Sequence, residues 1–174
     1  MVIKQVDYNK LVLDYFIYQG NQHMANLYAR ETGQRFYPSS FLALRSKVRD
    51  LILSGEPVAA KKALELYNFE FLTTTNLSDH LKKQFAIEKV AKGVHEEALE
   101  ELKECKLELN DVLEMIVYGE GVDIERWRTC CAEIVNQVIV DEFGEIRNAL
   151  VEIVEGLDWN TLDISEYYDS EERK

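Results

Sequence analysis

The chain is predicted to be all-α, and three features of its 174 residues carry that expectation. Apolar residues recur at spacings of three and four through most of the sequence, which is the period of a helix face and not of a strand. The eight glycines and two prolines fall between those periodic segments, and no β-hairpin turn signal separates alternating runs. Apolar residues at 47% and charged residues at 30% match a globular protein long enough to bury a core. The expected architecture is about nine short-to-medium helices stacked as antiparallel helical hairpins.

Residues 11–33, LVLDYFIYQGNQHMANLYARETG, hold two short amphipathic helices around a glycine turn. In the first, Leu11, Tyr15 and Tyr18 form one stripe and Val12 and Phe16 a second, and Gly20 stops the helix. In the second, Met24, Leu27 and Tyr28 are apolar, Ala25 and Ala29 admit another backbone, and Gly33 offers a left-handed cap. Helices of about ten residues are marginal alone in water, so this pair must hide against the rest of the chain, a second copy or a partner.

The next helix starts near Ser40, with Phe41, Leu44, Val48, Leu51 and Ile52 on one side and Arg45, Lys47, Arg49 and Asp50 on the solvent side. Gly55 closes it, and Pro57 opens the following helix, whose apolar face is Ala60, Ala63, Leu64 and Tyr67. Thr75 or Asn76 is placed to cap a helix carrying Leu77, Leu81 and Phe85, extended by Val90 and Ala91 to Gly93. Ala98, Leu99 and Leu102 mark another helix, and Leu109, Val112, Leu113 and Ile116 one more before the Gly119 to Gly121 link. From the N-cap candidate Asp123, residues Ile124, Trp127, Cys131, Ile134, Val135, Val138 and Ile139 keep one face over four turns. Its expected hairpin partner carries Ile146, Ala149, Leu150, Ile153, Val154 and Leu157, and the acidic tail should dock through Trp159 to Ile164 and fray beyond. Asn136 and Gln137, polar inside this apolar helix, need partners and are candidates for fixing its register or meeting another chain.

Charge and reactive residues narrow the function classes. The net charge is −12, with 13 Lys/Arg against 9 Asp/Glu in residues 1–94 and 7 against 23 in residues 95–174. So acidic a second half repels phosphate backbones and argues against nucleic acid as a partner. No apolar run approaches the roughly 18 residues of a membrane span, and the N-terminus lacks a signal-peptide core. A cytoplasmic or nuclear location, with no membrane partner, is expected. The three cysteines Cys105, Cys130 and Cys131 have no C-x-x-C pairing, fit a reducing compartment and are expected to be buried or half-buried thiols. His23, His80 and His95 lie at no metal-ligand spacing. Phosphate-binding loops, nucleophile elbows and zinc-protease motifs are absent from the sequence, so no catalytic residue, metal or cofactor is expected and the chain is read as a non-enzyme.

The residues also carry resemblances. L-x-L-D-Y-F-x-x-x-G followed by Ala25, Tyr28, Glu31 and Gly33 resembles a LisH motif, a dimerisation hairpin, which implies interaction roles for Leu11, Leu13, Asp14, Tyr15, Phe16, Gly20, Ala25, Tyr28 and Glu31 within residues 7–35. The segments from Arg45 to Gly55, Ala60 to Tyr67, Leu81 to Gly93 and Glu96 to Glu100 are similar to a CTLH region over 40–105, implying contacts through Val48, Leu51, Ile52, Leu81 and Phe85. E-I-V-N-Q-V-I-V-D-E-F, from Glu133 to Phe143, is similar to a shortened CRA region over 106–164, with Val135, Asn136, Val138 and Ile139 as its contact residues and 165–174 as an acidic tail. In that order the three resemble the LisH-CTLH-CRA scaffolds of the glucose-induced-degradation (CTLH) E3 ubiquitin ligase, closest to the small kind without RING or SPRY domains. The resemblance implies a non-catalytic adaptor that homo- or hetero-dimerises with other LisH-CTLH-CRA proteins. These would be RING-bearing and SPRY-bearing ligase subunits, with an armadillo-repeat subunit a further partner, and the outcome would be proteasomal degradation of a substrate. It also implies that the CRA helices fold back on the LisH hairpin. The alternative is a stand-alone LisH-type dimeric adaptor in a cytoskeletal or transcriptional assembly.

Overall fold

The computed structural model describes residues 8–68, 72, 75–103, 105–118 and 123–143. Among them are eight helices and no strand: α1 (Tyr8–Tyr18), α2 (Gln22–Thr32), α3 (Ser40–Leu53), α4 (Pro57–Tyr67), α5 (Leu77–Ala91), α6 (His95–Leu102), α7 (Asn110–Tyr118) and α8 (Ile124–Phe143). The expected helix from Ile146 to Leu157, the docking of Trp159 to Ile164 and the link at Gly119 to Gly121 lie outside the described residues. No helix among the described residues is long and apolar enough to cross a membrane.

Local chemistry sets the helix ends. Asn21 accepts from the Met24 amide at 3.0 Å, Ser39 from Leu42 at 3.1 Å and Asp123 from Arg126 at 3.1 Å, each satisfying an amide that the first turn leaves unpaired. Pro57 occupies the first turn of α4, where its missing N–H costs nothing. Gly33 ends α2 in the left-handed conformation with its N–H on the Ala29 carbonyl. At α5 the expected cap is weaker: Asn76 stands at the cap position without a side-chain bond, and Thr75 Oγ1 accepts from Leu77 only at 3.4 Å.

Among the described residues three clusters make the core. The largest joins α3, α4, α5 and α8 through Val48, Ile52, Leu64, Leu77, Leu81, Val135 and Ile139, at about 1.5–3 kcal/mol per large side chain taken from water. A second packs Ala86, Ile87 and Val90 of α5 against α6 and α7 through Ala98, Leu102 and Val112. The third lies inside the α1–α2 pair, where Leu13, Ala25 and Ala29 are buried and Phe16, Ile17, Tyr28 and Phe36 close over them. α8 packs along both α3 and α5 and so joins the two halves of the core.

Several expected faces are corrected. On α1 the inward side is Leu13, Phe16 and Ile17, while Leu11, Tyr15 and Tyr18 are only half-covered or exposed, because both faces of this helix are apolar and packing selects one. On α2 the small residues Ala25 and Ala29 face the core and Met24 is exposed. Leu99 and Leu113 are exposed as well, and so is Cys130, which the sequence placed as at least half-buried. Arg45, expected on the solvent side of α3, is 2% exposed.

Gly20 connects the core to the α1–α2 turn. Its φ of +67° favours glycine, and a Cβ there would stand 2.7 Å from Asn136 Oδ1 of α8. Gly33 has nearly the same φ, +69°, with nothing within 4 Å. Gly33→Ala should therefore cost only the backbone penalty, about 1 kcal/mol. Gly20→Ala should cost at least about 1 kcal/mol more, because Asn136 must also move. Urea unfolding midpoints of the two variants measure the difference, and equal losses would mean that the turn does not bear on α8.

Candidate functional site

The site-like features of the molecule are polar groups buried where α8 meets its neighbours. Arg45 of α3 donates from Nε and Nη2 to Asn136 Oδ1 at 3.0 and 2.7 Å, and Nη2 also reaches the Tyr18 carbonyl at the end of α1. Asn136 Nδ2 donates to the same carbonyl at 3.0 Å. The Phe41 ring centroid lies 5.5 Å from the guanidinium carbon. None of these partners is a carboxylate, so burial outweighs the opposing interaction with Tyr18 and the Arg45 pKa falls to about 10, still well above neutrality. At the surface beside this node, Tyr18 donates its hydroxyl to Gln137 Oε1 at 2.7 Å, and Gln137 donates to Asp141 at 2.6 Å. Asn136 and Gln137 thus both find partners within the chain.

A second node joins α5 to α8. Arg128 makes a two-pronged pair with Glu88, Nε and Nη2 each 2.7 Å from a carboxylate oxygen, and Gln84 Nε2 donates to Glu88 Oε1 at 3.0 Å. Burial alone would raise the Glu88 carboxyl. The hydrogen bonds from Arg128 and Gln84, with the charges of Arg128 and Lys92, outweigh it and hold the pKa below its ordinary 4.5. Neither Glu88 nor Gln84 was singled out as a buried polar residue from the sequence. Both stand in line with Leu77 and Leu81 on α5, and a polar residue inside an apolar stripe was the available signal.

The residues implied by the resemblances divide by exposure. On the first hairpin, Leu13, Gly20 and Ala25 are buried, Leu11, Asp14, Phe16 and Tyr28 are half-buried, and Tyr15 and Glu31 are exposed. Phe16 meets Tyr28 edge-on at 5.7 Å, and Tyr28 donates to Asn9 at 3.0 Å, so these aromatics bind α1 to α2. Val48, Ile52 and Leu81 are inside the main core and Leu51 is half-buried at its margin, while Phe85 is half-buried with Lys89 Nζ 5.2 Å from its ring centroid. Val135, Asn136 and Ile139 are buried and Val138 half-buried, all within the interface of α8 with the rest of the chain. Besides Glu31, what remains at the surface is a stripe on α1, with Tyr8 at 74% and Tyr15 at 36% exposed, Leu11 half-buried between them and Tyr18 half-buried one turn further on.

Among the described residues no group of three or more His, Cys, Asp or Glu could hold a metal ion. The adjacent cysteines differ sharply: burial pushes the Cys131 thiol up to about 12, with the Cys130 and Glu88 charges adding to it, whereas Cys130 is exposed. No family model matches the chain, and no solved structure matches it.

Two outcomes are expected. With maleimide at pH 8 the folded protein should be modified at Cys130 while Cys131 stays intact, as read by peptide mass spectrometry; equal labelling would contradict the burial of Cys131. Arg128→Leu should cost about 3 kcal/mol near pH 7, because Glu88 would then be buried without its cation. In the native protein the folded Glu88 titrates below 4.5, so its stabilisation is complete above that value and is lost as pH falls through the lower folded value. The gap between native and variant unfolding free energies should therefore shrink in acid, and a gap independent of pH would assign the loss to packing alone.

Proposed function

We propose that this protein is a non-catalytic scaffold subunit of a multi-subunit E3 ubiquitin ligase of the LisH-CTLH-CRA kind, linking RING-type catalytic subunits to substrate-receptor scaffold subunits. The reading rests on three sequence resemblances in the order LisH, CTLH, CRA, spanning nearly the whole chain. The observation that best supports it is the outer stripe of α1, where Tyr8 and Tyr15 are exposed and Leu11 and Tyr18 half-buried. Apolar side chains at helical spacing on an outer face suit a helix that meets another helix.

A second support is the position of α8. The Tyr18 carbonyl, at the turn of the LisH-like hairpin, is bound by Asn136 from the CRA-like segment. Such a contact fits the expectation that the two segments form one composite docking surface. The finer arrangement, nine helices in antiparallel hairpins with a CRA hairpin folded back on the LisH, belongs to the same proposal. So do the cytoplasmic or nuclear location and the dimeric state. The proposal gives the protein no reaction of its own, and its effect would come from bringing other subunits together.

The test uses Tyr15→Asp, which places a charge on the exposed stripe without entering the Leu13, Ala25 and Ala29 cluster. Phe16→Asp would disturb that cluster and is unsuitable alone. The native protein should behave as a dimer by light scattering, or co-purify from its own cells with RING-bearing LisH proteins identified by mass spectrometry. The variant should keep its circular dichroism and lose both kinds of association. A monomer that captures no LisH protein would overturn the proposal, and capture of tubulin-associated or corepressor partners would favour the stand-alone dimeric adaptor.

A further inference from the structure

The groove between α5 and α8, with a volume of about 250 Å³, is walled by Ile87 of α5, Leu107 of the α6–α7 connection, and Trp127, Cys130 and Ile134 of α8. Ile134 is 37% exposed and Trp127 and Leu107 are half-buried, so these apolar walls are open to water among the described residues. The polar residues around them call for no charged occupant. Lys83 Nζ is already 2.7 Å from Asp111 Oδ2 and 3.0 Å from the Glu108 carbonyl. Glu108 is exposed at the rim and accepts from Asn110 at 2.9 Å. Burial and the neighbouring Lys83 hold the His80 pKa below its ordinary 6.5 despite Asp79. Gln84 gives its amide to Glu88 and keeps Oε1 buried inside. What the groove lacks is apolar cover.

The apolar row continues along α8 toward the place where the described chain stops. Ile134 stands two turns after Trp127, and half-buried Val138 follows one turn later. From Phe143 back to Ile134 is about 14 Å along the axis, and to Trp127 about 24 Å. Residues 144–174 lie outside the described part. Their sequence begins with Gly144, which offers a helix stop, and then carries Ile146, Ala149, Leu150, Ile153, Val154 and Leu157 at helical spacing. As a helix, residues 146–157 would cover about 18 Å. An antiparallel return from Phe143 would therefore bring Ile153, Val154 and Leu157 level with Ile134, and residues 158–164 to Trp127 and Leu107. Asn148, Glu152 and Glu155 would then fall on the opposite side, toward water.

Attachment and size both favour this segment over a free occupant. A short tether presents it at an effective concentration on the order of millimolar, whereas sites for free drug-sized ligands start at roughly 300 Å³. We propose that residues 146–164 fold back along α8 and close the groove, with Ile153, Val154 and Leu157 packed on Ile134 and the following residues over Trp127 and Leu107. Cys130 is offset from Ile134 by about 40° around the helix, toward the exposed Arg126 and Glu133, so it stays at the rim and within reach of maleimide. The inference does not depend on the assembly role proposed above. The stripe on α1 stays free, and α8 keeps its contact with the Tyr18 carbonyl through Asn136.

The test is paramagnetic broadening in the ¹⁵N-labelled full chain. A spin label on Glu155→Cys, with Cys105→Ser and Cys130→Ser removing the reachable native thiols, should broaden the amide signals of Ile87, Leu107 and Ile134 more strongly than those of Tyr8 and Leu11 on α1. Adding Ile134→Asp should remove that broadening while circular dichroism stays unchanged. A second measurement uses Trp127 as the sole tryptophan, in a Trp159→Phe chain. Iodide quenching of its fluorescence should rise severalfold when Ile153→Asp and Val154→Asp are added, and this result decides the matter if the cysteine variant does not fold. The proposal is overturned by broadening strongest on α1, by broadening nowhere, or by quenching that the two Asp substitutions leave unchanged. Broadening passed from spin-labelled chains to unlabelled ¹⁵N chains in a mixture would make the occupant a second copy and overturn it as well.

Discussion

Arg45 brings a positive charge into the core with neutral partners, and the positions of α1, α3 and α8 follow from how that charge is accommodated. Its hydrogen bonds go to the Asn136 amide and to the Tyr18 carbonyl, which is one of the acceptors that α1 leaves unpaired at its C-terminal end. A helix C-terminus carries partial negative charge, so a cation there meets a favourable field even without a carboxylate. The pKa stays near 10, and the group is charged at neutrality. A buried ion is poor evidence of stability, because an apolar residue could fill the space at less cost. What the arrangement supplies is geometry: three helices must come together in one way for Nε and Nη2 to find their acceptors, while Nη1 is buried without one.

The same logic operates a second time along α8. Arg128 and Asn136 are eight residues apart, about 12 Å along the axis, one bound to Glu88 on α5 and the other to Arg45 on α3. Sliding α8 by one residue would turn it by about 100° and unpair both at once. Between the two polar residues, Cys131, Ala132 and Val135 fill the core, so apolar packing and hydrogen bonding select the same register. Two inter-helix turns are pressed against these nodes. Gly20 faces Asn136, and a Cβ at Gly55 would come 2.9 Å from Arg128 Cζ and 3.0 Å from Glu88 Oε2. Gly33, by contrast, is needed only for its left-handed backbone. The same residue type with nearly the same φ therefore serves two purposes, closing a helix in one place and admitting a neighbour in the other.

That distinction marks how far the sequence could be read. Helix positions follow from local chemistry, and Asp123 as a cap, Pro57 at a first turn and Gly33 at an end are visible without any tertiary contact. The long periodic face of α8 was legible for the same reason, except that Ile134, read as part of it, is 37% exposed. Arg45 was not, since reading by pattern assigns charged residues to solvent, and its acceptor on α8 lies 91 positions away. Yet Arg45 stands three residues after Leu42 and three before Val48, both buried, so the interruption of a stripe was itself a signal. The inner face of α1 was ambiguous on other grounds: Leu13, Phe16 and Ile17 and the set Leu11, Tyr15 and Tyr18 both satisfy helical spacing. Periodicity cannot choose between two apolar faces of one helix, and only the fit of Ala25 and Ala29 against one of them does.

The residue types on the two faces of α1 are not equivalent, and this bears on assembly. The buried face uses Leu, Phe and Ile, which have no polar atom to satisfy, whereas the outer stripe uses tyrosines at three of its four positions. Tyrosine tolerates water through its hydroxyl and still offers a large apolar ring to a partner. A stripe of Leu or Phe would make the separate chain prone to non-specific association, and a stripe of Lys or Glu would give a partner little apolar surface to cover. In the proposed scaffold, a chain that must exist both alone and assembled is served by that compromise. Tyr18 ties the stripe to α8 through Gln137, so a partner covering α1 would also lie next to the helix whose register the two polar nodes fix. The surface is thus tied to the core at its Tyr18 end through Gln137 and Asn136 of α8.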